Sequence, residues 1–201
     1  MPLIFSPAAA TGAGDNIDDI KALLKSSLRQ FKDFPTKGVL FEDIMPIFQN
    51  PAAFNALLTG LRLQIEENFS GANKPDVIVG LDARGFLFGP TLALMLDAAF
   101  VPVRKRGKFP GPTVSAKFEK EYGSDIFEMQ ADAIKPGQKV IIVDDIIATG
   151  GSAKAAGELT RKLGGEILEY IFLMELDFLK GREKLDAPVY TLLSGQPTKL
   201  Q

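Results

Sequence analysis

The sequence predicts an α/β fold, a mainly parallel twisted sheet flanked by helices, and three observations point to it. Short apolar runs at 76–80, 100–104, 139–143 and 167–173 read as strands. Helical periodicity at 84–96 and 151–163 falls between them, and strands alternating with helices imply parallel pairing with both faces covered. The 201 residues, 46% hydrophobic and 24% charged, suffice for one globular core.

Each element has its own justification. From Asp15 to Phe31 the apolar residues Ile17, Ile20, Leu23, Leu24, Leu28 and Phe31 recur three and four apart, with Asp18 and Asp19 early and Lys25 and Arg29 late. That pattern predicts an amphipathic helix whose charges suit its dipole. Pro35, Gly38 and Pro46 punctuate 34–46, which should be irregular with at most short extended pieces. A second helix is expected over 51–69, opened by Pro51. The segment 110–123 holds Pro110, Gly111, Pro112 and Gly123 with mixed charge, and reads as a long mobile loop with some extended character. The final strand ends near Glu175 and Asp177. In such sheets, ligands sit beyond the carboxyl ends of the strands.

Composition removes several functions. The net charge of -2 lacks the Lys and Arg surplus that nucleic-acid binding requires. Without Cys or His the chain builds no disulfide, no thiolate nucleophile, no Ser-His-Asp triad and no usual zinc set. Acid–base work falls to Asp, Glu, Lys or Tyr. The start, 1–14, lacks the basic residue of a signal peptide and is expected to be a flexible extension of a single domain over 15–201. Apolar runs stop well short of the ~20 residues that cross a bilayer. We expect a cytoplasmic protein that binds neither membrane nor nucleic acid.

The segment Val140 to Ser152, VIIVDDIIATGGS, runs from an aliphatic strand through two acids into a Gly-rich turn that opens a helix. The turn offers unobstructed backbone N–H groups, Thr149 and Ser152 add hydroxyls, and the helix points its positive end at the same spot. A phosphate fits there, and several donors must converge, because a helix end alone contributes only about 0.3 to 2 kcal/mol to an anion. Two carboxylates would repel a bare polyphosphate. They suit a sugar, since Asp144 and Asp145 can accept from ribose hydroxyls and help hold a hydrated magnesium ion. Neither a Walker A pattern nor G-x-G-x-x-G is present.

This stretch resembles the phosphoribosyl pyrophosphate signature of type I phosphoribosyltransferases. The resemblance implies that Asp144, Asp145, Ala148, Thr149, Gly150, Gly151 and Ser152 bind ribose and 5′-phosphate. GLDARGFLFGP, Gly80 to Pro90, again follows a strand. By resemblance it binds pyrophosphate through Asp82, Ala83 and Arg84, with a cis bond between Asp82 and Ala83. Arg104, Lys105, Arg106 and Lys108 form a cationic cluster after the next strand. On charge alone it could be a solvated surface loop; in the resembling family such segments contact pyrophosphate, partly across a dimer interface, which implies a homodimer. The stretch about 108–127 resembles the family's mobile catalytic loop, with Glu121 as the catalytic carboxylate and Tyr122 beside it. The same alternation around Lys117 to Glu121 is also that of an exposed hairpin.

FPTKGVLFEDIMPIF, Phe34 to Phe48, is similar to the hood segment of adenine phosphoribosyltransferases, fungal members in particular, as are FGPTLAL, EKEYGSD and ELDFLKGREKL. The resemblance spans about 28 to 195. It implies adenine, 5-phosphoribosyl-1-pyrophosphate, AMP and pyrophosphate as ligands, with Mg²⁺ as cofactor held mainly through the substrate. Leu40 would offer a backbone N–H and C=O pair to adenine, with Phe41 and Leu176 packed on the ring; as plain residues, those two could equally be core. Glu42 stands where some members carry Arg. A 6-oxopurine phosphoribosyltransferase and a non-catalytic regulator on the same fold remain alternatives.

Overall fold

The computed structural model describes residues 16–34, 37–119 and 123–195; the extension 1–14 lies outside them. The chain divides into two compact units, with the boundary between Gly60 and Leu61.

In the first unit, α1 spans Ile17–Ser27. Asn16 caps it by accepting the Asp18 N–H at 3.0 Å, and Ile20 and Leu24 form its buried stripe. The helix was expected to continue to Phe31 but stops four residues earlier. The hydroxyls of Ser26 and Ser27 both donate to the Leu23 carbonyl at 2.8 Å, supplying a partner at the last turn. Arg29–Lys32 then forms β1, antiparallel to β2, Leu40–Asp43. Cross-strand pairs fix that ribbon: Arg29 Nη2 lies 2.6 Å from Asp43 Oδ2, and Gln30 Nε2 donates to Glu42 Oε1 at 2.7 Å. Phe31 is 49% exposed, so its helical spacing marked no buried face. Two helices follow, α2 at Met45–Gln49 and α3 at Pro51–Asn68. The second matches its expected span, and α3 carries the chain across the unit boundary.

The second unit is a seven-stranded sheet. Its strands are β3 (Val77–Leu81), β4 (Ala99–Lys105), β5 (Thr113–Glu119), β6 (Ser124–Gln130), β7 (Lys139–Ile147), β8 (Glu166–Glu175) and β9 (Val189–Leu193), in the order β5-β6-β4-β3-β7-β8-β9. The pairs β4–β3, β3–β7, β7–β8 and β8–β9 are parallel; β5–β6 and β6–β4 are antiparallel. The helices are α4 (Gly89–Met95) and α5 (Gly151–Lys162). Period-two alternation divides the strands between two layers. Val77, Val79, Val140 and Ile142 join Ala153, Ala156 and Leu159 of α5 in one core. Val143, next in β7, faces Gly89 of α4. The expected α/β architecture, mainly parallel and flanked by helices, is what the chain adopts.

Two segments differ from expectation. The helix expected over 84–96 is a 3-10 turn at Arg84–Leu87 followed by α4. Pro90 has no N–H to continue the turn before it, and so it starts a new helix. The expected loop of 110–123 is largely strand, because β5 pairs with β6 in register from Thr113↔Gln130 to Glu119↔Ser124. Its prolines and first glycine all precede Thr113. Beyond them Ala116, Phe118, Phe127 and Met129 are buried in the core, with the Phe118 and Phe127 rings 4.6 Å apart. Lys162 Nζ of α5 donates to the Ser115 carbonyl at 2.6 Å.

Candidate active site

The ends of β3, β4 and β7 bring most of the expected site residues of the second unit to one edge of the sheet. Asp144 and Asp145 lie inside β7, not beyond it. Asp145 is 2% exposed, and its Oδ2 stands 2.9 Å from Arg84 Nε. Among the described residues that oxygen accepts no hydrogen bond despite the ion pair. Burial pushes the Asp144 carboxyl well above the usual carboxylate range, and the adjacent Asp145 adds to the shift. Burial also raises Asp145, against the pull of Arg84.

The Arg84 turn seats directly on β7. A Cβ on Gly85 would lie 2.9 Å from the Val143 carbonyl oxygen and 3.4 Å from Asp144 Oδ1, so only glycine permits this approach. The Asp82–Ala83 peptide bond is cis, as the resemblance implied. Arg104 enters from β4, its Nε 3.5 Å from Asp82 Oδ2, while its Nη1 donates to the Lys108 carbonyl at 3.2 Å. Lys105 Nζ approaches Asp125 Oδ2 at 3.9 Å.

The loop 148–152 follows β7 as expected. Gly150 is the N-cap of α5 in the left-handed region, φ 78°, and no side chain caps the helix. The first-turn N–H groups are therefore not consumed by a side chain, which suits an anion at the positive helix end.

Sequence reasoning missed Glu128. It is buried opposite Arg104 in the β4–β6 register. Its Oε2 accepts the Gly107 N–H at 2.9 Å and its Oε1 lies 3.8 Å from Arg106 Nε, so it shapes the turn that bears the cations. Strand alternation in 124–130 would have revealed it, had that segment been read as a strand. The Glu175–Arg182 pair was missed too, for want of any local signal linking residues seven apart in irregular chain.

Leu40 and Phe41 belong to the first unit and Leu176 to the second. All three are only partly buried, unlike core residues. Phe41 meets Phe34 edge-on at a 4.9 Å centroid distance. Glu42 is buried and held by Gln30. Glu121 and Tyr122 lie outside the described residues. Among the described residues no three His, Cys, Asp or Glu side chains gather as a metal cluster.

The model of the phosphoribosyl transferase domain matches residues 47–200. An adenine phosphoribosyltransferase of Yarrowia lipolytica is 65% identical over 181 residues, covering 90% of this chain and 99% of its own. The chain belongs to the adenine phosphoribosyltransferase family. Another member, from Candida albicans, is 60% identical over 188 residues, 92% of this chain and 97% of its own. The solved structure of the Saccharomyces cerevisiae family member, complexed with adenine and D-2,5-dideoxy-2,5-imino-altritol 1,6-bisphosphate, superposes with a TM-score of 0.86 at 60% identity, covering 88% of this chain and 99% of that one. Family membership bears out the resemblance: the chain is a glycosyltransferase of the pentosyl class.

Proposed function

We propose that this chain transfers the phosphoribosyl group of 5-phosphoribosyl-1-pyrophosphate to N9 of adenine, giving AMP and pyrophosphate in purine salvage. The observation that carries the reading is the meeting of an uncapped, Gly-rich helix start, the Asp144–Asp145 pair and Arg84 at one sheet edge. A ligand with a 5′-phosphate, ribose hydroxyls and a pyrophosphate matches that sequence of donors, acceptors and cations. The yeast relative's bisphosphate and adenine have the same division into anions and base.

In this reading, 148–152 fixes the 5′-phosphate, and Asp144 and Asp145 accept from the ribose hydroxyls. Holding both ends of the ribose phosphate makes displacement at the anomeric carbon effectively intramolecular. The bond to pyrophosphate breaks and the bond to adenine N9 forms. Asp82, Ala83, Arg84, Arg104, Lys105 and Lys108 line the leaving group, whose charge the cations stabilise as it develops. The proton on adenine N9 passes to a carboxylate, the role we assign to Glu121, with Tyr122 closing over the site. No His competes for it. Free Glu has a pKa of about 4.3, so closure must desolvate Glu121 to raise it.

The donor set fits magnesium. Mg²⁺ keeps several waters and is held by one or two carboxylates plus substrate phosphates; Asp145 has a buried oxygen without a donor, and Asp144 adjoins it. When bound, Mg²⁺ supplies charge compensation for the pyrophosphate.

Adenine recognition rests on Leu40, Phe41 and Leu176. Among the described residues β2 pairs with β1 alone, so alternate residues of β2 direct both backbone groups away from the ribbon. One such N–H and C=O pair reads adenine N1 and N6 without a side chain. The enzyme acts as a cytoplasmic homodimer in this account; Leu87 of the Arg84 turn and Leu94 and Met95 of α4 are exposed apolar residues that a second copy would cover.

Incubation with adenine, 5-phosphoribosyl-1-pyrophosphate and magnesium should yield AMP and pyrophosphate in equal amounts. Adenine left unconsumed would contradict the proposal.

A further inference from the structure

The segment that follows β8 packs against the loop 148–152 in a way that no assigned role explains. Glu175, the last residue of β8, lies opposite Ile147 in the β7–β8 register, and its side chain is only 4% exposed. The next amide, Leu176 N–H, donates to the Ile147 carbonyl at 3.0 Å. Two 3-10 turns follow, Asp177–Leu179 and Gly181–Lys184, joined at Lys180 with φ 52°. They fold the chain back so that Arg182 meets Glu175. Arg182 Nε donates to Oε1 at 2.8 Å and to Oε2 at 3.0 Å, and Nη2 also pairs with Oε2.

The return of the chain presses one glycine backbone on another. A Cβ on Gly181 would run into the Ala148 carbonyl oxygen and lie 2.9 Å from the Gly150 nitrogen, and a Cβ on Gly150 would run into the Gly181 carbonyl oxygen. Gly150 is also the left-handed N-cap of α5, with no side chain capping the helix. The wall at Gly181 is therefore what restrains the turn from one side.

We propose that 175–182 is a brace for the phosphate loop, with Gly181 as the contact and Glu175 and Arg182 as positioning residues that lock it. The inference rests on the reading that 148–152 binds the 5′-phosphate. Anion binding by backbone N–H groups demands placement to within about 0.5 Å, which side chains behind the site must enforce. A forked Arg–carboxylate contact is suited to this, because its two parallel bonds fix orientation as well as distance.

The test compares ribose 5-phosphate with pyrophosphate binding by calorimetry, in the full chain and in Gly181→Ala, Arg182→Lys and Thr149→Ala. Arg182→Lys keeps the charge and loses the fork, and it decides the matter alone if Gly181→Ala does not fold. Both brace variants should weaken ribose 5-phosphate about tenfold or more, equivalent to ~1.4 kcal/mol, and leave pyrophosphate within about twofold. In turnover, KM for 5-phosphoribosyl-1-pyrophosphate should rise more than kcat falls. Unchanged ribose 5-phosphate affinity in the brace variants, with a loss in Thr149→Ala, overturns the brace and leaves the loop reading intact. No loss in Thr149→Ala either would take the loop reading down and the brace with it. An equal loss of both ligands would mark a general defect and also overturn the proposal.

Discussion

Replacing Gly157 with alanine tests how closely α5, the helix that opens after Gly150, must seat on the sheet. A Cβ at Gly157 would run into Tyr170 Oη and lie 3.1 Å from Tyr170 Cζ. Tyr170 cannot yield freely: it is 1% exposed, and its hydroxyl donates to Asp186 Oδ1 at 2.9 Å. Arg161 Nε, from the same helix as Gly157, donates to Asp186 Oδ2 at 2.5 Å. Overpacking costs about 1–3 kcal/mol, and a lost hydrogen bond to a charged acceptor about 1.5–3 kcal/mol. Alanine returns about 1 kcal/mol of helix propensity. The balance centres on a loss of about 3 kcal/mol, or roughly 6–12 °C in melting temperature for a chain of this size. Differential scanning calorimetry would read it, with Tyr170→Phe added as a second change. Removing the hydroxyl relieves the collision, so the double variant should melt at or above Gly157→Ala alone. A Gly157→Ala protein as stable as the parent, or strictly additive losses, would show that α5 does not depend on this close approach to Tyr170.

Other outcomes follow from the site. Glu121→Gln should slow single-turnover product formation on the order of 10² to 10⁴; a rate within twofold of the parent would remove Glu121 from the proton-acceptor role. Glu128→Ala should weaken pyrophosphate binding several-fold at low salt, since it frees the Arg106–Gly107 turn, and titration calorimetry at two salt concentrations would show it. Asp144→Asn should abolish transfer yet alter the acid–base stability profile of the ligand-free protein. Because the fold raises this carboxyl above its ordinary 3.8, the folded state binds the proton more tightly than the unfolded one. Stability from this group is thus present at low pH and lost as pH climbs from 3.8 through the raised value. Melting curves from pH 4 to neutrality should lose that decline in the variant; an unaltered slope would contradict the assignment.

The parallel core was legible because buried strands and amphipathic helices carry strong periodic signals: Val140–Val143 and α5 fall where their residues placed them. The turn between β7 and α5 was legible as well, as its glycines and hydroxyls are consecutive in sequence. What escaped depends on pairing across distance. β1 exists because 29–32 finds 40–43, a partner that outweighs the helical spacing of Phe31. The β5–β6 hairpin was masked by prolines that stop short of it, and Pro90 broke a helix whose apolar pattern ran on through it. The Gly150–Gly181 contact joins residues 31 apart in sequence, so nothing local to either reveals it. Leu40 acts, in this account, through its backbone, and a backbone contact leaves no mark in side-chain chemistry.

The most direct measurement is a single-turnover competition in which adenine, hypoxanthine and guanine are offered together with limiting 5-phosphoribosyl-1-pyrophosphate and magnesium. A site that hydrogen-bonds one base edge and leaves its own groups unpaired with another can discriminate by on the order of 10⁴, so the account predicts AMP as the only nucleotide detected. IMP or GMP formed in preference to AMP would contradict it and favour a 6-oxopurine enzyme on the same phosphate loop.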